Sequence, residues 1–220
     1  MLLSALRTGD ITQIMVAIFA SLFLVFCVIP LHEFAHALIA DKLGDDTPRL
    51  SGGLTLDPLA HIDVLGGLLI ALIGFGWGKP TPVNPNNFKK PKRDLALVAA
   101  AGPLANLILG FIFVFLSVVI QHSGFAATNG GIALYYFFVF AARITVYLGV
   151  LNLLPIPMFD GFNILQGFLS NKALYWVQTN QRTLMLIIML LLITNILSWP
   201  ITFLGNGLLN FFYWASGLIF

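Results

Sequence analysis

Charged side chains are scarce in this chain. Only 9% of its 220 residues are Asp, Glu, Lys or Arg, whereas 59% are hydrophobic. A soluble domain usually carries about 25% charged and 45–50% apolar residues, so this chain cannot cover itself with a water-compatible surface. The net charge of +2 is also too small and too dispersed to attract a nucleic acid. These scarcities predict an integral membrane protein that is surrounded by the lipid bilayer.

Cysteine and glutamate are each represented once, by Cys27 and Glu33. A single cysteine excludes an internal disulfide framework. Internal repeats, low-complexity stretches and long linkers are also missing, which leaves no room for a second domain. We therefore predict one integral-membrane domain over residues 1–220, with a core at 11–167 and carboxyl-terminal helices at 183–220.

Long apolar runs dominate what is present. The first three of them are long enough to cross a hydrocarbon core of roughly 30 Å at about 1.5 Å per residue. The predicted fold class is therefore an all-α polytopic membrane protein with about five or six transmembrane helices. The runs occupy residues 11–40, 95–120, 132–154, 184–196 and 201–220.

A shorter apolar run at 64–77 has about 14 residues, below the 17–25 typical of a spanning helix. It contains four glycines, which are poor residues for a helix interior. We predict a re-entrant or β-hairpin element between the first two core helices. The following stretch, 79–85, contains Pro80, Pro82 and Pro85 and is expected to be extended.

Basic residues are concentrated directly after this element. Five of the eleven Lys and Arg residues fall between Lys79 and Arg93. Under the positive-inside rule this loop is cytoplasmic. Asp45 and Asp46, further towards the amino terminus, are expected in a solvated turn. Arg143 lies within an apolar run, where a charge must pair or reach water, so we expect it to have a structural partner such as an aspartate.

The segment His32-Glu33-Phe34-Ala35-His36 carries the clearest chemistry. Positions four apart on a helix share a face, so the two imidazoles can bind one zinc ion, with Glu33 beside it as a general base. Random placement of the four histidines and one glutamate gives this pattern about 3 times in 10,000. Ionisable groups in an apolar helix also mark a functional site, so we predict a metal centre.

A catalytic zinc needs a third protein ligand and an open position for water. His61, His122 and the aspartates are the remaining candidates, and the residues alone leave this choice open. Asp160 stands out because it follows a run with two prolines and an asparagine next to an apolar segment. Such irregular backbone at membrane depth is tolerated only where it is buried or lines a wet cavity.

The histidine motif together with Asn152-x-x-Pro155-x-Pro157-x-x-Asp160-Gly161 resembles the intramembrane zinc metalloproteases of the site-2 protease family. The resemblance covers roughly residues 30–167, and it is closest to the compact prokaryotic branch that lacks PDZ domains. In one departure, Met158-Phe159 stands where Pro-Leu is usual. Further stretches that resemble the family are Leu43-Gly44-Asp45, residues 54–63, residues 76–84 and Gly102-Pro103-Leu104-Ala105-Asn106, although Asp57 stands where asparagine is expected.

The resemblance implies the roles of the site residues. His32, His36 and Asp160 would hold one catalytic Zn²⁺, and Glu33 would activate water. Asn106 and Asn152 lie at family positions near the active site, where an amide could bind the substrate backbone or the oxyanion. The implied reaction is hydrolysis of peptide bonds in or near transmembrane segments. The site would then lie near the cytoplasmic face of a bacterial inner membrane.

A single-span membrane protein is the expected substrate, and it must unwind before its carbonyls can be attacked. The extended segment that includes Val83 and Asn84 could add a substrate strand at its edge. His61 is either part of the active site or a polar residue of a surface loop.

Two other functions stay open at this stage. A membrane metal-binding or transport protein could use the same histidines and aspartate for a travelling ion. A catalytically silent scaffold could bind helices, although it would be expected to lose Glu33 or a ligand. The sequence does not reveal whether a regulatory membrane partner or a second copy is bound.

Overall fold

The computed structural model of the protein describes residues 6–7, 9, 11–73, 76–194 and 196–219. Within these ranges the chain is helical or irregular, and no described residue lies in a β-strand. The all-α class is therefore confirmed. The chain forms two compact units, Met1–Asp94 and Leu95–Phe220, which are described separately. The single domain with a core at 11–167 stays a prediction.

The first unit begins with one long helical segment, interrupted by a π-helical turn that Pro30 explains. Proline has no N–H to donate to the carbonyl of Phe26, and its ring would clash with that carbonyl in an α-helix. In the π turn the N–H of Ile29 bonds to the carbonyl of Leu24 instead, which widens the helix before the proline. The segment consists of α1 (Ile11–Phe23), the π turn (Leu24–Val28) and α2 (Ile29–Lys42).

Shorter elements complete the first unit. They are α3 (Thr47–Leu50), α4 (Pro58–His61), α5 (Val64–Ile73) and a 3-10 turn (Pro85–Asn87). The β-hairpin that we considered for 64–77 is wrong over Val64–Ile73, because these residues form an α-helix. Residues 74 and 75 of the predicted element lie outside the described ranges.

The chain after α5 returns along that helix. A Cβ atom on Gly66 would overlap the backbone carbonyl of Trp77, so only glycine permits this close approach. At the base of the element the N–H of Lys79 donates to the carbonyl of His61 at 2.8 Å. The segment therefore leaves and returns at the same point, as a re-entrant element requires. Its position in a membrane stays a prediction.

The second unit is built mainly from α7 and α11 packed together. Its helices are α6 (Pro91–His122), α7 (Asn129–Leu153), α8 (Asp160–Gln166), α9 (Asn171–Thr179), α10 (Gln181–Ile193) and α11 (Ser198–Gly217), with a 3-10 turn at Gly124–Ala127. Val114, Val146 and Phe212 lie in the buried core of this unit. A Cβ atom on Gly205 would overlap the ring of Tyr147, so this glycine allows α11 to approach α7 closely.

Three helical segments are long and apolar enough to cross a membrane, judged by length and composition: Ala17–Lys42, Pro91–His122 and Asn129–Leu153. They agree with the first three predicted runs. The full count of five or six spans is not confirmed, because α10 is shorter and α11 is not among the candidates. Pro200, between the last two predicted runs, lies in the first turn of α11, where a missing N–H costs no hydrogen bond.

Candidate metal centre

His32 and His36 form a preorganised pair on α2. Both side chains are buried, with 6% and 7% of their surface exposed. Their Nε2 atoms lie 3.1 Å apart, because residues four apart on a helix stack on one face. Two imidazole nitrogens bound tetrahedrally to zinc at 2.0–2.1 Å would be roughly 3.3 Å apart. The pair therefore fits a zinc ion with almost no movement of either ring.

Glu33, between the two histidines, is anchored by a residue 48 positions away. Its Oε2 accepts the backbone N–H of Thr81 at 2.8 Å, and the Thr81 hydroxyl donates to the carbonyl oxygen of Glu33 at 3.1 Å. These bonds fix the direction of the carboxylate beside the histidine pair. Sequence reasoning missed Thr81. The only available signal was that Thr81, between two prolines, can donate an N–H that its neighbours cannot.

The extended segment around Thr81 has few backbone donors left. Prolines at 80, 82 and 85 have no N–H, and the N–H of Thr81 is used by Glu33. The N–H of Asn84 donates to Asp45 at 2.7 Å, and its side chain caps the following 3-10 turn. Among the described residues the N–H of Val83 has no acceptor. Of the two residues predicted to pair with a substrate strand, Val83 thus retains a donor and Asn84 does not.

Asp45 is buried, so the predicted solvated turn is wrong for this residue. Its side chain has no exposed surface, and its carboxylate accepts hydrogen bonds from Thr47, Asn84 and Asn87. Burial by itself raises the pKa of Asp45, but the bonds from Thr47, Asn84 and Asn87 outweigh it and lower the pKa below its ordinary value. Asp45 therefore links the turn after α2 to Asn84, at the end of the extended segment in which Thr81 anchors Glu33.

His61 ends α4 with only 1% of its surface exposed. Its Nε2 lies 2.8 Å from the carbonyl oxygen of Thr55, so this nitrogen carries the proton that is donated. Its own carbonyl accepts the N–H of Lys79. These contacts give His61 a structural role where the chain enters α5 and returns to Lys79. A role in substrate binding stays a prediction.

Asp160 belongs to the second unit, where it is the first residue of α8. One of its carboxylate oxygens, Oδ2, is buried. The next residue must be glycine, because a Cβ atom on Gly161 would overlap the backbone of Leu153 at the end of α7. Met158 has φ +89°, a value that a proline cannot adopt. This conformation is consistent with a methionine at position 158, where the family that the chain resembles usually has the proline of a Pro-Leu pair.

The two predicted amide residues also lie in the second unit. Asn106, on α6, is fully buried, and its Cβ lies close to Gly149 of α7. Asn152, near the end of α7, donates its side-chain N–H to the carbonyl of Leu148 at 3.1 Å. One N–H of Asn152 is therefore engaged by its own helix. Roles of these amides in binding substrate stay predictions.

Residues 120–195 match the model of Peptidase family M50. This range includes Asn152 and Asp160 but not the histidine pair. No solved structure matches the chain.

Three relatives extend the similarity. The Bacillus subtilis protein named "Putative zinc metalloprotease YwhC" is 45% identical over 62% of this chain and 63% of its own length. "Putative zinc metalloprotease Rip2" of Mycolicibacterium smegmatis is 33% identical over 76% of this chain and 64% of its own. "Putative zinc metalloprotease MJ0611" of Methanocaldococcus jannaschii is 28% identical over 61% of this chain and 63% of its own length. In each case the match spans less than two thirds of the relative. These matches confirm the predicted resemblance: the chain is similar to Peptidase family M50 over residues 120–195 and to relatives that are named putative zinc metalloproteases.

Proposed function

We propose that this protein is an intramembrane zinc metalloprotease that hydrolyses peptide bonds in or near transmembrane segments of membrane-protein substrates. One observation carries the proposal: two buried imidazole nitrogens lie 3.1 Å apart on one helix turn, and the carboxylate between them in sequence is held in place by Thr81. The names of the relatives, "Putative zinc metalloprotease" in each case, support the same chemistry.

His32 and His36 supply two ligands in this proposal, and Asp160 supplies the third. Imidazole nitrogen and carboxylate oxygen are both ordinary zinc ligands, and three protein ligands leave a position open for water. Asp160 is supported by the buried position of its Oδ2 and by the resemblance of the surrounding motif. When bound, the zinc ion would acidify a water molecule and polarise the scissile carbonyl.

Glu33 is the general base in this proposal. The N–H of Thr81 occupies Oε2, so Oε1 is the oxygen that would take a proton from water and pass it to the leaving amine. Anchoring of the carboxylate keeps the base in one position and lowers the entropic cost of reaching a reactive geometry.

Val83 would bind the unwound substrate. An extended peptide can add to an exposed backbone edge by main-chain hydrogen bonds. Because the other donors between residues 80 and 85 are missing or engaged, the N–H of Val83 is the donor available there. Val83→Pro should slow cleavage and leave zinc bound, whereas unchanged turnover would contradict the edge-strand model.

We place the site near the cytoplasmic face of a bacterial inner membrane. The five basic residues between Lys79 and Arg93 support this side, since such residues favour the cytoplasm. A Cys27→Ser, Lys89→Cys variant tests it, because Lys89 is exposed. The new thiol should resist a membrane-impermeant maleimide in spheroplasts and react after lysis, whereas labelling of intact spheroplasts would reverse the orientation.

The zinc content of detergent-purified protein tests the metal centre without a known substrate. Wild type should contain about one zinc per chain, and His32→Ala and Asp160→Ala should contain little, because a structural or catalytic zinc needs at least three protein ligands. Helix content measured by circular dichroism controls for folding. Zinc retained by Asp160→Ala would remove the aspartate from the site and make His61 the next candidate. A zinc-free wild type after chelator-free purification would contradict the proposal.

A further inference from the structure

Arg143 is an exposed arginine at membrane depth. It lies on α7, fourteen residues after the helix begins and ten before it ends, which is about 21 and 15 Å from the two ends. The side chain is exposed, and its guanidinium lies 5.4 Å from the centre of the Tyr147 ring. This cation–π contact replaces the aspartate that we expected from the sequence. Within the described ranges no carboxylate forms an ion pair with Arg143.

The neighbouring helix α11 presents a row of polar side chains, one of which bonds Tyr147. Asn206 accepts a hydrogen bond from the Tyr147 hydroxyl at 2.8 Å, so it lies next to the ring that Arg143 contacts. Thr202 and Asn210 are one turn away on either side, and all three side chains are exposed. The side chain of Asn210 has no hydrogen-bond partner in the described part of the chain. We call Arg143, Tyr147, Thr202, Asn206 and Asn210 the polar face.

This face is unsuited to lipid. Asn and Thr side chains in a membrane tend to bond across helices, and a charge there usually pairs with another charge. Phospholipid headgroups are a poor partner for Arg143, because the nearer end of its helix is about 15 Å away. The adjacent side of α11 is already buried, with Gly205 against Tyr147 and Phe212 in the core. The polar face therefore needs a protein partner.

Charge identifies the partner as another protein's helix. A second copy would have to offer a carboxylate at membrane depth. In the three apolar spans that the structure describes, Glu33 is bonded to Thr81, Asp41 is next to the end of α2, and Asp94 is buried in the first turn of α6. None of these can reach a guanidinium in the middle of a neighbouring span.

We infer that the polar face binds a transmembrane helix of a different protein, one that carries an aspartate or glutamate near its midpoint. The carboxylate would pair with Arg143 against the Tyr147 ring, and the amides and hydroxyl of α11 would bond polar groups further along the partner. This surface is outside the histidine motif, so the interaction does not depend on the proposed hydrolysis.

Synthetic helices provide a direct test. The probe is a Leu- and Ala-rich peptide of about 21 residues with lysines at both ends and Asp, Asn or Leu at its centre. The 220-residue protein is labelled in a Cys27→Ser, Leu218→Cys background, since Leu218 is 68% exposed just after α11. Energy transfer in phosphatidylcholine proteoliposomes measures binding. Wild type should bind the Asp peptide at least about fivefold more tightly than the Leu peptide.

Three variants locate the preference. Arg143→Leu should abolish the advantage of the Asp peptide and leave binding of the Leu peptide unchanged. Arg143→Lys should retain most of that advantage, which shows that a folded protein with the charge present still discriminates. Arg182→Leu is the matched control, because it removes an exposed arginine from the first turn of α10 and should change nothing.

Several results would overturn the inference. Equal binding of the Asp and Leu peptides by wild type would show that the face does not recognise a carboxylate. A preference that survives Arg143→Leu would place recognition elsewhere. Energy transfer between two labelled copies of the protein that is lost on addition of unlabelled Asp peptide would show that a second copy occupies the face instead.

Discussion

The two units satisfy their polar groups in different ways. In the first unit, polar side chains bond partners far away in sequence: Glu33 and Thr81 are 48 residues apart, and Asp45 and Asn84 are 39 apart. In the second unit, buried hydroxyls bond their own helices, as Thr145 does with the carbonyl of Ala141. Long-range polar bonds therefore hold loops in the first unit, whereas apolar packing, close glycine contacts and the Tyr147–Asn206 bond hold helices together in the second.

The largest expected effect comes from the anchored base of the first unit. Glu33→Gln should lower the rate of hydrolysis by about 10²- to 10⁴-fold, because an amide cannot accept the proton from water. Zinc content should stay at the wild-type level, since Glu33 is not a predicted ligand. Cleavage of a reconstituted single-span protein, together with elemental analysis, measures both.

Thr81 variants separate the anchor from the base. Thr81→Val keeps the backbone N–H that bonds Glu33 and should leave the rate within a few-fold of wild type, whereas Thr81→Pro removes that N–H and should lower it much further. Full hydrolysis by Glu33→Gln would show that another group accepts the proton.

The second unit should be most sensitive at Gly161. Alanine there would place a Cβ atom against the backbone of Leu153, which cannot move aside as a side chain can. We expect Gly161→Ala to destabilise the protein by about 3 kcal/mol. Thermal unfolding in detergent, followed by circular dichroism, measures this. The matched control is Gly207→Ala, where nothing lies within 4 Å and better helix propensity should leave stability equal or slightly higher.

Asp45 tests the long-range polar bonds of the first unit. Asp45→Ala removes the acceptor for Thr47, Asn84 and Asn87, and it should cost about 2 kcal/mol because these donors lose their buried partner. Asp45→Asn should be milder, since the amide oxygen can still accept. Thermal unfolding at pH 7 measures both variants, and an unchanged melting temperature for Asp45→Ala would show that water replaces the carboxylate.

Acid should remove the same stabilisation without a substitution. The pKa of Asp45 is lower in the folded protein than its ordinary value of about 3.8. Its contribution is therefore complete above that value and is lost as the pH falls through the lower, folded pKa. The stability difference between wild type and Asp45→Asn should shrink over that range. A constant difference down to pH 2 would contradict the assignment.

The smallest effect is expected at a helix-internal bond of the second unit. Thr145 is fully buried, and its hydroxyl donates to the carbonyl of Ala141 on the same helix. That carbonyl keeps its helical bond without the hydroxyl, and valine has nearly the same shape. Thr145→Val should therefore change the free energy of unfolding by no more than about 0.5 kcal/mol. A loss as large as that of Asp45→Ala would remove the contrast between the two units.

Local periodicity in the sequence was sufficient to predict part of this protein's structure. The spacing of His32 and His36 places them on one face of any helix, because both lie within about one turn. Long apolar runs likewise predicted the three candidate spans to within a few residues. An apolar segment in lipid must bond its own backbone N–H and C=O groups, and a helix does so within the segment. These features depend on neighbours in sequence, and the sequence by itself determined them.

The tertiary structure decided what depends on distant partners. Nothing near Thr81 indicates that its N–H holds Glu33, and the turn around Asp45 looks solvated until Asn84 and Asn87 cover it. Arg143 likewise had a predictable need for a partner. Tyr147 lies four residues later on the same helix, but only packing of α11 against α7 put Asn206 next to the Tyr147 ring. Loop conformations and partner choice follow from contacts between segments that are far apart along the chain, and helical or apolar periodicity carries no information about those contacts.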